Sequence, residues 1–178
     1  MFIRVLLIAP GKSLINERDK IQDFIKKHKP YVITLNFSSD MFKQNMVFVT
    51  NLKRYNLLKE IDGTLVVTSN VQTTKTKNIL NYTSYINNST EFDNTALMIL
   101  KLLVSLKIDK VHFAGLDGFS SKLSENYVSE ELLNTINFKE LSKRNNIIAE
   151  QLNSFRKYIE ISFITKSIYE KKEEIFLL

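Results

Sequence analysis

The chain contains no cysteine and only four glycines, two prolines and two histidines among its 178 residues. Without cysteine it has no disulfide scaffold, no catalytic thiolate and no Cys-ligated zinc, and a reducing compartment is expected. Neither histidine belongs to an H-x-x-x-H or carboxylate cluster that would bind a metal, nor to a defensible Ser/His/Asp arrangement. The sequence therefore predicts no metal and no resident cofactor, and it indicates a binding site more clearly than a catalytic one.

Long hydrophobic runs are also missing. The N-terminal apolar stretch, residues 2–10, is too short to span a membrane and has no cleavage-site pattern. No internal repeat or low-complexity linker interrupts the chain, so we expect a single domain over residues 1–178. We expect this domain to be cytoplasmic and to have no transmembrane segment.

The formal net charge is +6, from 25 Lys and Arg against 19 Asp and Glu. The basic residues are spread along the chain and interleaved with acidic ones, and no RNP-type motif, zinc finger or recognition helix is present. We therefore expect no nucleic-acid partner. A mildly positive cleft that attracts nucleotide phosphates accounts equally well for the surplus of basic residues.

Six short apolar segments rich in Val, Ile and Phe are predicted to be strands. They are residues 2–9, 31–36, 46–50, 64–69, 111–115 and 159–165. Their continuous apolar character is typical of strands that are covered on both faces, as in a parallel sheet. Helical periodicity between them, clearest over 94–107 and 138–158, completes an alternating pattern. This pattern predicts an α/β fold: a single three-layer Rossmann-like domain with a mainly parallel sheet.

The tripeptide Gly11-Lys12-Ser13 follows the first predicted strand and matches the end of a P-loop. A P-loop also needs a glycine five residues before Gly11, where this chain has Leu6, so that motif is excluded. A helix start after a strand still offers N–H groups to a phosphate, with Lys12 adding a charge-assisted contact. Alternatively, Gly11 makes a tight turn and Ser13 caps the helix.

Polar residues recur where the next predicted strands end, at the edge where ligands of such sheets bind. Asn36 and Asn51 suit a ribose hydroxyl, a phosphate or a base edge, although asparagine is also a common turn residue. Lys53 and Arg54 begin a helix, where two cations oppose the helix dipole and indicate a nearby anion. The alternative is an exposed charged pair.

Two further strand and helix ends carry candidate residues. Asp93 is the expected N-cap of the apolar helix, and Asn94 and Thr95 beside it are placed to face a ligand. Gly115 and Asp117 follow the fifth predicted strand, where Asp117 is either a turn former or a functional carboxylate.

The order of these motifs resembles that of a known family. IAPGKSL, LNF, VFVTNLKRY, DNTALMILKLL, VHFAGLDGFS and ENYV follow one another as in bacterial sialyltransferases of the single-Rossmann type that use CMP-sialic acid. The sequence is also similar to the 6-hydroxymethylpterin diphosphokinase-like family. It resembles most the domain appended to the C-terminus of aldolase-like proteins from surface-polysaccharide gene clusters. The resemblance covers nearly the whole chain.

The sialyltransferase resemblance implies a role for each matched residue. Gly11, Ser13, Asn36 and Asn51 would hold the CMP moiety. Asp93, Asn94 and Thr95 replace the family's Thr-Ser-Gly motif, Gly115 to Asp117 replace its Gly-Ile-Asp segment, and Tyr127 matches a tyrosine that supports the leaving phosphate. The family's histidine general base is missing from residues 138–146. Glu140 is the nearby substitute, provided that burial raises its pKa.

Two functions follow as expectations. The first is a glycosyltransferase-like protein that uses a CMP-type nucleotide sugar and a glycan acceptor in bacterial surface-polysaccharide biosynthesis, with Asp117 and Tyr127 flanking the reacting centre. The second is a non-catalytic nucleotide-binding domain that partners, or is fused to, an aldolase-like enzyme. Pterin diphosphokinase activity has little support, because no acidic Mg²⁺ cluster is visible.

Overall fold

Short apolar segments form the strands of one sheet in the computed structural model, which describes residues 4–86, 93–133 and 138–170. The strands are β1 (Val5–Ile8), β2 (Tyr31–Leu35), β3 (Met46–Val49), β4 (Thr64–Thr68), β5 (Ile79–Leu80), β6 (Lys110–Ala114) and β7 (Glu160–Phe163). The helices are α1 (Ser13–Asn16), α2 (Arg18–His28), α3 (Leu52–Tyr55), α4 (Tyr82–Tyr85), α5 (Thr95–Ser105) and α6 (Phe138–Phe155).

The strand order is β5-β4-β3-β2-β1-β6-β7, and every neighbouring pair is parallel. The chain builds outward from β1 on one side through β5 and then returns to add β6 on the other side. The reversal opens a crevice beyond the carboxyl ends of β1 and β6, where sheets of this class bind ligands.

Successive residues of β1 enter the cores on opposite faces of the sheet. Leu7 packs with Leu100 and Leu152 from α5 and α6, whereas Leu6 packs with Ile21 from α2. All five side chains have no solvent exposure, and burial of each stabilises the fold by about 1.5–3 kcal/mol. Helices on both faces confirm the predicted three-layer α/β Rossmann-like fold.

All six predicted strands are present, with ends shifted by at most three residues, and residues 2 and 3 lie outside the described ranges. Strand β5 was not predicted, because its two residues form a short edge strand beside β4. The prediction that Asp93 caps the apolar helix is wrong. Asn94 is the N-cap, and its Oδ1 accepts hydrogen bonds from the N–H groups of Ala96 and Leu97.

No helix within the described ranges is both long enough and apolar enough to cross a lipid bilayer.

Candidate functional site

A cleft of about 410 Å³ lies at the carboxyl edge of the sheet, over the ends of β1, β2, β3 and β6. Cavities of this size accommodate small-molecule ligands. Ten of the sequence-predicted site residues line it: Gly11, Asn36, Asn51, Lys53, Arg54, Asn94, Thr95, Gly115, Asp117 and Tyr127. Lys12, Ser13 and Glu140 do not.

The turn after β1 is filled by the carboxylate of Asp117. Asp117 Oδ2 accepts a hydrogen bond from the Ser13 N–H (2.8 Å), and Oδ1 accepts one from the Ser13 hydroxyl (2.5 Å). The Lys12 N–H also donates to this carboxylate, and the Gly11 N–H donates to the Gly115 carbonyl (2.9 Å). The sequence suggested that the backbone N–H groups of Gly11, Lys12 and Ser13 bind a phosphate. In the structure these N–H groups have protein partners instead.

These contacts also change the predicted role of Ser13. Helix α1 begins at Ser13, and Lys12 occupies the N-cap position without capping the helix through its own side chain. The expectation that Ser13 is the cap is wrong, because its buried hydroxyl instead donates to Asp117 and lies 2.9 Å from the Thr165 hydroxyl, from which it can accept.

Gly11 is needed at this turn for steric reasons. A Cβ there would clash with the Gly115 carbonyl oxygen and lie 2.6 Å from Asp117 Oδ2. Gly115 itself has a φ of 71°, a left-handed conformation that favours glycine. Both glycines thus allow the loop after β6 to approach the loop after β1 closely enough for Asp117 to reach α1.

Burial raises the pKa of Asp117 above its ordinary value, while the hydrogen bonds from Ser13 act in the opposite direction. The negative charge of Glu17 also raises the pKa. Because the carboxylate only accepts hydrogen bonds from Ser13 and Lys12, its position is that of a structural anion at a helix start. It faces the cleft with little freedom to move.

A network of three polar side chains joins β2, β3 and α5 at the floor of the cleft. Asn36 Oδ1 accepts from the Thr50 N–H (2.9 Å), and Asn36 Nδ2 donates to the Thr95 hydroxyl. The hydroxyl oxygens of Thr50 and Thr95 are 2.7 Å apart. Asn36 has a φ of 60°, which asparagine tolerates well, so it is both a turn residue and a lining residue.

Two asparagines present hydrogen-bond donors to the cleft because their oxygens cap helices. Asn51 Oδ1 accepts from the Arg54 N–H (3.2 Å) at the start of α3, and Asn94 Oδ1 caps α5 in the same way. A cap requires the oxygen to face the backbone N–H, so the NH₂ group of each amide is left as a donor. Neither NH₂ group bonds another described residue. Donors of this kind suit phosphate and hydroxyl oxygens.

Arg54 and Tyr127 both line the cleft and contact each other. The Arg54 side chain is buried with 6% exposure, and its guanidinium carbon is 5.0 Å from the centre of the Tyr127 ring. Its Nη1 is buried and has no hydrogen-bond partner among the described residues. The alternative of an exposed charged pair therefore does not apply to Arg54, although Lys53 beside it is exposed.

The substitute base lies outside the cleft. Glu140 is exposed and accepts a hydrogen bond from Arg144 at 3.2 Å, so the burial that would activate it is absent. His28 and His112 do not line the cleft either. His112 instead forms a 2.6 Å hydrogen bond with the Ser162 hydroxyl within the sheet.

Sequence reasoning missed several residues that line the cleft, among them Thr50, Asn70, Asn126, Arg144 and Tyr169. A signal existed for Asn70, which follows β4 as Asn36 and Asn51 follow β2 and β3. Its Nδ2 donates to the Thr50 carbonyl at 2.9 Å.

The loop after β6 is held over the cleft by two missed asparagines. Asn126 is buried and binds both the N–H and the carbonyl of Ser120. Asn145 binds both the N–H and the carbonyl of Phe119, and its Oδ1 also accepts a hydrogen bond from the Tyr169 hydroxyl at 2.7 Å. These bonds fix the loop that carries Asp117 and Tyr127, and no local sequence pattern signals them.

A search of known family models finds no match to this chain, and a search of curated proteins finds none.

Proposed function

We propose that the cleft binds a nucleotide-activated sugar of the CMP type. The proposal rests on one observation: amide and hydroxyl groups from four separate chain segments line the same cleft. These segments are Asn36, Thr50–Asn51, Asn70 and Asn94–Thr95. Such groups bind ribose hydroxyls, base edges and phosphate oxygens at the carboxyl edge of a parallel sheet. The resemblance of the ordered motifs to CMP-using sialyltransferases supports a cytidine nucleotide in particular.

The sialyltransferase resemblance makes glycosyl transfer the first form of this function. In that form the sugar passes from the nucleotide to a glycan acceptor during bacterial surface-polysaccharide synthesis. The Tyr127 hydroxyl would support the departing phosphate, and the Tyr127 ring lies against Arg54. Arg144 and Lys53 add positive charge at the same cleft, which favours a phosphate-bearing ligand.

A second form, recognition without catalysis, is favoured by the bonding of Asp117. Its carboxylate already accepts hydrogen bonds from Ser13 and Lys12, and no histidine is among the residues described around the cleft. A general base must be within reach of the proton that it removes. In this form the domain would present the nucleotide sugar to a partner, for which the resemblance suggests an aldolase-like enzyme.

Binding is tested by thermal unfolding with CMP, CDP, UDP, GDP and their sugar conjugates. A ligand at a hundred times its dissociation constant adds about 2.7 kcal/mol to the free energy of unfolding, roughly 5–11 °C for a chain of this size. We expect a cytidine-selective shift that Asn51→Ala and Thr95→Ala reduce. Asn153→Ala, an exposed position on α6 away from the cleft, serves as the control. A flat panel contradicts the proposal.

Transfer is separated from recognition by following the release of CMP from CMP-sugar in the presence of glycan acceptors. Release that depends on acceptor and is lost in Tyr127→Phe supports the transferase form. Tight binding without release supports the recognition form.

A further inference from the structure

Arg54 is a buried cation for which the described part of the chain supplies no anion. Its guanidinium stays charged at all physiological pH values. Burying a charge without a counter-charge is costly, yet only 6% of this residue is exposed and no residue in the described ranges hydrogen-bonds its Nη1.

The ion pairs among the described residues do not include Arg54. They join Lys20 to Glu17, Lys59 to Asp40, Lys110 to Glu160, Lys122 to Glu125, and Arg144 to Glu140. The contact with Tyr127 compensates only in part, because an uncharged phenol ring contributes a cation–π attraction but no negative charge. Burial lowers the pKa of Arg54, as expected for a cation held away from water.

The position of Arg54 indicates where an anion would bind. The residue lines the main cleft and also a smaller cavity of about 140 Å³, and Asn36 borders both. Lys53 and the amide of Asn51 line the cleft beside it. The other place where a Rossmann-like site commonly holds phosphate, the start of α1, is already occupied by Asp117.

We propose that Arg54 is the phosphate-binding residue of the cleft and that a phosphate or diphosphate group of the ligand supplies its missing counter-charge. This inference rests on the proposed nucleotide-binding function but places the phosphate at Arg54 and Tyr127, away from the Gly11–Ser13 turn. The planar guanidinium suits two oxygens of one phosphate, and the Tyr127 ring holds it in place.

A purely structural arginine would behave differently when it is replaced. If Arg54 mainly stabilises the fold, its loss lowers the unfolding temperature in the absence of ligand. If it is an uncompensated charge kept for a ligand, Arg54→Gln unfolds at the same or a higher temperature, since removing an unpaired buried charge relieves its desolvation.

The test compares thermal unfolding and calorimetric titration of the full chain with inorganic pyrophosphate, CMP and cytidine. The variants are Arg54→Gln, Arg54→Lys and the charge-matched control Lys75→Gln, whose lysine is exposed and lies beside Tyr55 outside the cleft. We expect pyrophosphate to bind the wild type and Lys75→Gln equally, and to bind Arg54→Gln at least about tenfold more weakly. Arg54→Lys keeps the positive charge but loses the planar guanidinium that can bind two oxygens, so we expect this variant to bind pyrophosphate more weakly as well.

The outcomes separate this inference from the proposed function. Pyrophosphate binding that depends on Arg54 supports the inference even if no nucleotide binds, in which case only the proposed function fails. Cytidine nucleotides that bind wild type and Arg54→Gln equally overturn the inference and leave the function standing. No pyrophosphate binding by the wild type, or an Arg54→Gln chain that unfolds more than roughly 5 °C lower without ligand, also overturns it.

Discussion

Replacing Asp117 by alanine tests whether the turn after β1 is built around this carboxylate. The substitution leaves the N–H groups of Ser13 and Lys12 without their acceptor, at about 1–3 kcal/mol each. The Ser13 hydroxyl keeps its bond to Thr165, and relief of the buried charge offsets part of the loss. We expect a net loss of about 3 kcal/mol, which corresponds to roughly 6–12 °C in the unfolding temperature.

The assay is thermal and urea unfolding of Asp117→Ala beside two comparison variants. Asp117→Asn keeps an oxygen that can accept from the Ser13 N–H, so we expect less than half of the alanine effect. Asp23→Ala removes an exposed carboxylate on α2 and should change stability by less than about 0.5 kcal/mol. If Asp117→Ala unfolds within about 2 °C of the wild type, the reasoning is refuted and the N–H groups of the turn are available to a ligand.

The same residue makes stability depend on pH in a defined direction. Burial raises the pKa of Asp117 in the folded protein above its ordinary value of 3.8. The folded state therefore binds this proton more tightly than the unfolded state does, and the resulting stabilisation is lost as pH rises from 3.8 through the raised pKa. We expect the stability of the wild type relative to Asp117→Asn to fall over that interval, and a rise would contradict the burial argument.

Three further substitutions test other parts of the structure. Burial lowers the pKa of His112 to about 4, so the folded protein favours the neutral imidazole. The contribution of this neutral side chain to the free energy of unfolding is present above pH 6.5 and is lost as pH falls toward 4. Urea unfolding should show a loss of about 1–2 kcal/mol, discounted for partial exposure, that is missing in His112→Gln. Gly11→Ala should cost about 1–3 kcal/mol in urea unfolding, since its Cβ clashes with the Gly115 carbonyl; an unchanged midpoint would contradict this. Arg54→Met should leave ligand-free stability unchanged or raise it by about 1–4 kcal/mol, and a clear loss would show that Arg54 is part of the core.

The sheet could be predicted from the sequence because its strands are buried on both faces. A segment such as Val5–Ile8, with four buried apolar residues in succession, has few alternatives to a central parallel strand. The edge strand β5 could not be predicted in this way. Ile79 is exposed and Leu80 is only half-buried, and the strand exists because β4 offers free backbone groups beside it.

The positions of the candidate residues followed from topology, but their bonding did not. Asn36, Asn51 and Asp117 each follow a strand, and the carboxyl ends of parallel strands meet at one edge. That Asp117 would occupy the start of α1 depends on a contact between residues 104 positions apart. The sequence around Ser13 is equally consistent with a phosphate in that place, so only the folded arrangement distinguishes the two.

The burial of Arg54 could not be predicted from the sequence either. Lys53 and Arg54 are neighbours on a four-residue helix and look equivalent in sequence. The loop after β6 brings Tyr127 over Arg54 alone, and Asn126 and Asn145 hold that loop in place through bonds to Ser120 and Phe119. One cation is therefore enclosed while the other stays exposed.

The most direct test of the account is an NMR titration of the isotope-labelled 20.7 kDa chain with CMP and its sugar conjugates. We expect saturable shifts at backbone amides around the cleft, centred on Asn36, Thr50, Asn51 and Ala96, with no change near His28 at the opposite end of the sheet. Shifts that are confined to other surfaces, or no shifts at millimolar nucleotide, would contradict the claim that this cleft is a nucleotide-sugar site.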